Sequence, residues 1–158
     1  VLEKTDIANI AQIISQSTSQ AVKEVLKGQI IAPESREGYV YVQAFNAVPA
    51  GGRIQLTLQT QADADFLCTS LAAEFDPNNP DWLLQITNQS TNKNFFFLPI
   101  PVRSICNFDI KPNFDLPVGY FIQASSQVTI DVTNNNPAPQ NLTICLIGIK
   151  LMKALVLT

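Results

Sequence analysis

Histidine is absent from this 158-residue sequence. That excludes a Ser-His-Asp triad, a Cys-His pair, histidine-ligated zinc and imidazole acid-base chemistry. Charge is scarce as well: 15% of residues are Asp, Glu, Lys or Arg, against a usual quarter, and the formal net charge is -3. The ten basic residues are scattered from Lys4 to Lys153 and do not supply the phosphate neutralisation on which nucleic-acid affinity rests. No nucleic acid is expected as a partner. Cys68, Cys106 and Cys145 form no CxxC pair, which argues against a thiolate zinc or redox site and for free buried thiols. Cys145 is the clearest case, lying inside the apolar run 144–149. No apolar run reaches the roughly 18 to 20 residues of a membrane helix, and VLEKTDIANI has no basic region followed by an apolar core. The expectation is a soluble protein, not conventionally secreted, with no membrane partner.

What the sequence does hold is polarity without charge. Thirteen Asn and thirteen Gln accompany many Ser and Thr, while 46% of residues are hydrophobic. Amides and hydroxyls wet such a surface, and weak charge repulsion eases self-association.

Residues 6–27 read as an amphipathic helix. Ile7, Ile10, Ile14, Thr18, Ala21 and Val25 recur at steps of three and four, while Asn9, Gln12, Gln16 and Lys23 face elsewhere. Thr5 or Asp6 can cap its start, and Gly28 stands at a natural stop. Its β-branched residues and Ser-Gln steps make it a poor solitary helix, so its apolar stripe must pack on its own domain or on another subunit. Residues 1–28 are therefore set apart as an assembly or docking arm, 29–37 as a linker, and 38–158 as a β-domain.

After Gly28 the period shortens to two. Strands are expected over 39–45, with Val40, Val42 and Ala44 on one face, and over 53–60, with Ile54, Leu56 and Leu58 opposite Gln55, Thr57 and Gln59. Further strands are expected over 65–71, 82–87, 94–98, 127–133 and 142–152. Prolines make 76–81 a loop and leave 103–118 irregular. Seven or eight strands with no helix between them exclude parallel βαβ units. The fold class is mainly β: an antiparallel two-sheet sandwich, jelly-roll-like or Greek-key, with one N-terminal amphipathic helix.

Few residues suggest chemistry. A hydrolase would have to draw on Asp63, Asp65, Asp109 or Asp115; Asp63 and Asp65 can share one face of a strand, but neighbours on a strand do not make the carboxylate cleft of a glycosidase. Loop 76–81 carries hard oxygen donors that calcium could use, yet it lacks the glycine and terminal glutamate of a helical calcium loop. Ala50-Gly51-Gly52-Arg53 is a turn and lacks the phosphate-cradle pattern. In Phe95-Phe96-Phe97 a strand would place Phe96 opposite its two neighbours, one side entering the core and the other needing cover. No catalytic residues, cofactor or metal are expected, and the chain is not read as an enzyme. The interface candidates are Ile7, Ile10, Ile14, Ala21, Val25 and Phe96.

An ordered series of segments carries a resemblance. It runs through Pro49-Ala50-Gly51-Gly52, Asp63-Ala64-Asp65-Phe66 and Phe97-Leu98-Pro99-Ile100-Pro101-Val102. It continues through Asp115-Leu116-Pro117-Val118-Gly119-Tyr120-Phe121, 126–134 and 141–150. From about residue 36 to 153 the chain resembles the auxiliary β-sandwich structural proteins of tailed-bacteriophage virions, those of capsid decoration or the head-neck region. It departs from them at Cys106-Asn107-Phe108-Asp109, where a glycine-rich turn would stand. The resemblance implies a mechanical role in a virion assembled in the host cytoplasm, self-association, and contact with capsid, portal or neck proteins. A carbohydrate- or receptor-binding module of a phage particle is the alternative, with Trp82 and Tyr120 as sugar-facing aromatics. Glycan is then the partner.

Overall fold

Two-residue alternation needs a sheet with one dry face, and the chain supplies two. The computed structural model describes residues 36–106 and 113–152. In order these form β1 (Arg36–Val48), β2 (Arg53–Gln59), β3 (Ala64–Phe75), β4 (Trp82–Asn88), β5 (Lys93–Asn94), β6 (Ile100–Pro101), β7 (Asn113–Ile122), β8 (Gln127–Asn134) and β9 (Gln140–Met152). A 3-10 turn, Val102–Ser104, follows β6. Sheet I has the order β1-β9-β3-β7; sheet II has the order β2-β8-β4-β5, with β6 also on β4. Every pairing is antiparallel. The pairs are nested: β1 with β9, β2 with β8, β3 with β7, and β4 with β5 and β6. The helix expected over 6–27 lies outside the described residues, as do Ile7, Ile10, Ile14, Ala21 and Val25.

The inner faces of both sheets share one hydrophobic cluster, which makes the described unit a β-sandwich. Tyr41, Phe45, Phe66, Leu71, Leu142, Ile144 and Leu146 come from sheet I; Trp82, Leu84, Ile86, Val128, Ile130 and Val132 come from sheet II. Burying each such aliphatic or phenylalanine side chain contributes about 1.5–3 kcal/mol. Ile54, Leu56 and Leu58 of the edge strand β2 pack against the same cluster.

Polar clamps close both ends. At one, the turn after β1 uses Gly51 at φ +70, and the fully buried Asn134 ties that turn to the β8–β9 connection. Its Nδ2 donates to the carbonyls of Val48 (2.8 Å) and Ala138 (3.0 Å), and its Oδ1 accepts from the Asn136 backbone N–H (2.9 Å) and Nδ2 (2.8 Å). At the other, Lys150 is only 5% exposed; its ammonium sits 4.0 Å from the centre of the Tyr39 ring and donates to Gln61 Oε1. A buried amide or ammonium is tolerated because these partners replace its water.

Several expectations change. Residues 95–98 are a bend rather than a strand, and the ladder there shrinks to Lys93–Asn94 and Ile100–Pro101. The reason is the prolines at 99 and 101 together with two consecutive rings, Phe95 and Phe96, that both pack on the core. Part of the stretch read as irregular is β7, which runs through Pro117 as a sheet edge, where a missing N–H costs no ladder bond. Cys68 and Cys106 are buried, whereas Cys145 is half-exposed, because its strand position points away from the core.

Candidate assembly surface

The two outer faces of the sandwich differ in chemistry. On sheet II the outward positions of β2 and β8 are Arg53, Gln55, Thr57 and Gln59, and Gln127, Thr129, Asp131 and Thr133. Arg53 pairs with Asp131 and Thr57 with Thr129 across the two strands. Arg53 Nε donates to both Asp131 carboxylate oxygens (2.8 and 3.0 Å), Gln89 Nε2 donates to Thr129 Oγ1 (3.0 Å), and Gln85 Nε2 donates to the Phe96 carbonyl (2.9 Å). This face is finished: its amides and hydroxyls meet each other or water.

On β1 and β9 sheet I is apolar outside as well as inside, while the outer row of Val40 and Ile147 continues through Ser70 to the exposed Asp115 at the β7 edge. Register aligns Gly38, Ile149, Leu67 and Phe121 in one row across its four strands, and Val42, Cys145, Ala72 and Asn113 in another. Between them Val40 lies opposite Ile147. Val40 is 45% exposed, Val42 55% and Phe121 48%. A strand buried on both faces reads as a near-continuous apolar run, and Leu142–Ile149 of β9 is such a run. The strictly alternating β2 and β8 are not. The apolar area is bounded along the strands by Thr143 and Glu74 in the row of Ala44, and by Arg36 and Asp65 in the row of Leu151.

Burial pushes the Cys145 thiol above its ordinary value, and the charge of Glu74 adds to this. Cys68, on the inner side of β3, is pushed up to about 12 by burial, so it stays a neutral thiol across the physiological range.

Phe96, an interface candidate from sequence, is half-buried and packs against the core. The ring that projects beside it is Phe97, 96% exposed, followed by the exposed Leu98. Sequence reasoning missed both because it gave this stretch a strand's alternation. Trp82 is only 1% exposed and cannot serve as a sugar platform, since its strand position turns it into the core; its Nε1 has no hydrogen-bond partner among the described residues. Tyr120 stacks on Phe95 with ring centres 3.8 Å apart, which takes up one face of its ring.

The carboxylates do not converge on a shared point. Asp63 lies 3.9 Å from the Lys150 ammonium, Asp65 Oδ1 accepts from the Ala124 N–H (2.8 Å), and Asp115 stands on the edge strand β7, opposite Ser70 in backbone register. Asp109 lies outside the described residues. In loop 76–81, Asp76 accepts from the Asn78 N–H (2.9 Å) and Asn79 Nδ2 (2.8 Å), which holds its carboxyl below the usual range. Asp81 pairs with Arg103 at 3.6 Å. These oxygens are spent on capping the loop. Next to it, a polar cavity of about 490 Å³ is lined by Asn46, Glu74, Phe75, Asp76, Gln140, Asn141 and Thr143.

No protein-family model matches the chain, and no curated protein matches it in sequence.

Proposed function

We propose that this chain is a structural component of a tailed-bacteriophage virion, decorating the capsid or forming part of the neck or connector assembly. The observation that carries the assembly role is the apolar outer face of sheet I along β1 and β9, set against the polar outer face of sheet II. An uncovered face of that kind on one side only suits a unit that packs beside copies or neighbours.

Strand order supports the finer fold reading. With β5 and β6 counted as one interrupted strand, each sheet has four strands and the nested pairs form a hairpin rolled on itself. This is a jelly roll, an architecture used in viral capsid domains and in lectins. The ordered segments from Pro49 to Lys150 supply the link to virion auxiliary proteins. On this reading the role is mechanical, no residue is catalytic, the place of work is the virion, and the partners are copies of itself with capsid, portal or neck proteins. Mass spectrometry of purified particles is the test. The chain should be present at a fixed ratio to the major shell protein; its absence from particles rejects the reading.

A second reading, a carbohydrate- or receptor-binding module of a phage particle, is favoured by the cavity beside Asn46, Glu74 and Asn141, whose amides and carboxylate suit sugar hydroxyls. A glycan array that stays blank at millimolar sugar removes it.

A further inference from the structure

We propose that Lys150 and Gln61 join in an intramolecular isopeptide bond, Nζ to Cδ, with Asp63 as the proton acceptor. The bond locks the end of β9 to the connection between β2 and β3. It stands apart from the virion reading and holds whether or not the protein assembles.

The strand period brings the amine to an unusual place. Leu142, Ile144, Leu146 and Gly148 form the inward row of β9, and Lys150 is the next residue in that row. Lysine is almost never fully buried unless it is paired. Its ion-pair partner here is distant and wet: Asp63 lies 3.9 Å away, with its side chain 52% exposed. The group in hydrogen-bond contact with the buried Nζ is instead an uncharged carboxamide, Gln61 Oε1, under the cover of the Tyr39 ring.

Gln61 is gripped at three points. Its backbone N–H donates to Tyr41 Oη (3.0 Å), its Nε2 donates to Tyr39 Oη (3.1 Å), and its Oε1 accepts from Lys150. The carboxamide is thus presented with its carbonyl toward an amine and its nitrogen toward a hydroxyl. An amide is a poor electrophile, and fixed geometry is what offsets this: well-oriented intramolecular groups react as if at about 10⁵–10⁸ M. A carboxylate near the amine supplies the base that frees its lone pair.

The step balances without a co-reactant. Lys150 gives one ammonium proton to the Asp63 carboxylate, and the neutral Nζ adds through its lone pair to Gln61 Cδ. One proton passes from Nζ to Nε2, the Cδ–Nε2 bond breaks, and Nε2 leaves as ammonia. That ammonia takes the proton held by Asp63 and departs as ammonium past the half-exposed carboxylate. One C–N bond replaces another, so nothing is oxidised or reduced. The product closes a loop from residue 61 to residue 150 and restricts the unfolded chain as a disulfide does.

Intact-mass spectrometry of the folded, purified full chain tests this. The native protein should be lighter than its sequence by one ammonia. Proteolysis should then release a branched peptide joining the segment that carries Gln61 to the segment that carries Lys150. Asp63→Asn, a change at a half-exposed position, should keep the β circular dichroism spectrum and the full sequence mass. A folded native chain at full sequence mass, or a lighter one whose lost ammonia maps to any other pair, overturns the inference. A cross-link that forms equally fast in Asp63→Asn overturns the role given to Asp63.

Discussion

At Gly148 the sheet admits no side chain. A methyl group there would lie 2.0 Å from the Leu67 carbonyl oxygen and 2.9 Å from the Cys68 Cα, both backbone atoms that cannot swing aside. The cause is the bulge across from it, where β3 places an extra residue, Thr69, between Cys68 and Ser70 against Gly148 and Ile147 of β9. Gly148→Ala should therefore destabilise the fold by about 2–3 kcal/mol, the upper range for overpacking, seen as a lower urea midpoint. Cys68 beside it makes a pH prediction. Its folded pKa is raised to about 12, so the native state keeps a proton that the unfolded chain releases from about pH 9. The stabilising contribution is whole below about pH 9 and is lost as pH rises toward about 12. Cys68→Ala should lose less stability than the native chain over that interval in alkaline unfolding; an equal loss in both would assign the sensitivity to other groups.

Among the elements, β1, β3 and β9 were legible as strands from their expected ranges, and β2 and β8, with a polar outer face, showed also which side enters the core. In β2 and β8 every second residue is Gln, Thr, Asp or Arg, so alternation fixes both the strand and the side that enters the core. In β1 both sides are largely apolar, Tyr39, Tyr41, Gln43 and Phe45 against Val40, Val42 and Ala44, and alternation cannot choose between them. The core took the bulkier row. In β9 the two-residue period places Leu142, Ile144, Leu146 and Gly148 toward the core, as found, which puts Cys145 in the outward row although the apolar run around it suggested burial. β7 was concealed by Pro117 and Gly119, residues that read as loop unless the strand is known to lie at an edge. The candidate surface was not visible in the sequence: it emerges only when register brings β1, β9, β3 and β7 side by side. Because each described strand pairs within 36–152, removing residues 1–28 should leave the β circular dichroism spectrum intact while weakening assembly. Loss of the spectrum would make that segment part of the sandwich core.

For the whole molecule, the nested pairing places first and last strands together and leaves one face unfinished. On the proposed reading, this face makes the protein an assembly unit. Light scattering on the eluting full chain measures that directly. The native protein should elute at a discrete multiple of 17.3 kDa, and Val42→Lys should bring it toward 17.3 kDa. The 55% exposure of Val42 keeps the folding cost of that change to about 0.5 kcal/mol. A lysine at Gln55, on the finished face of sheet II, should leave the mass unchanged. A native chain at 17.3 kDa across the concentrations tested would contradict the account.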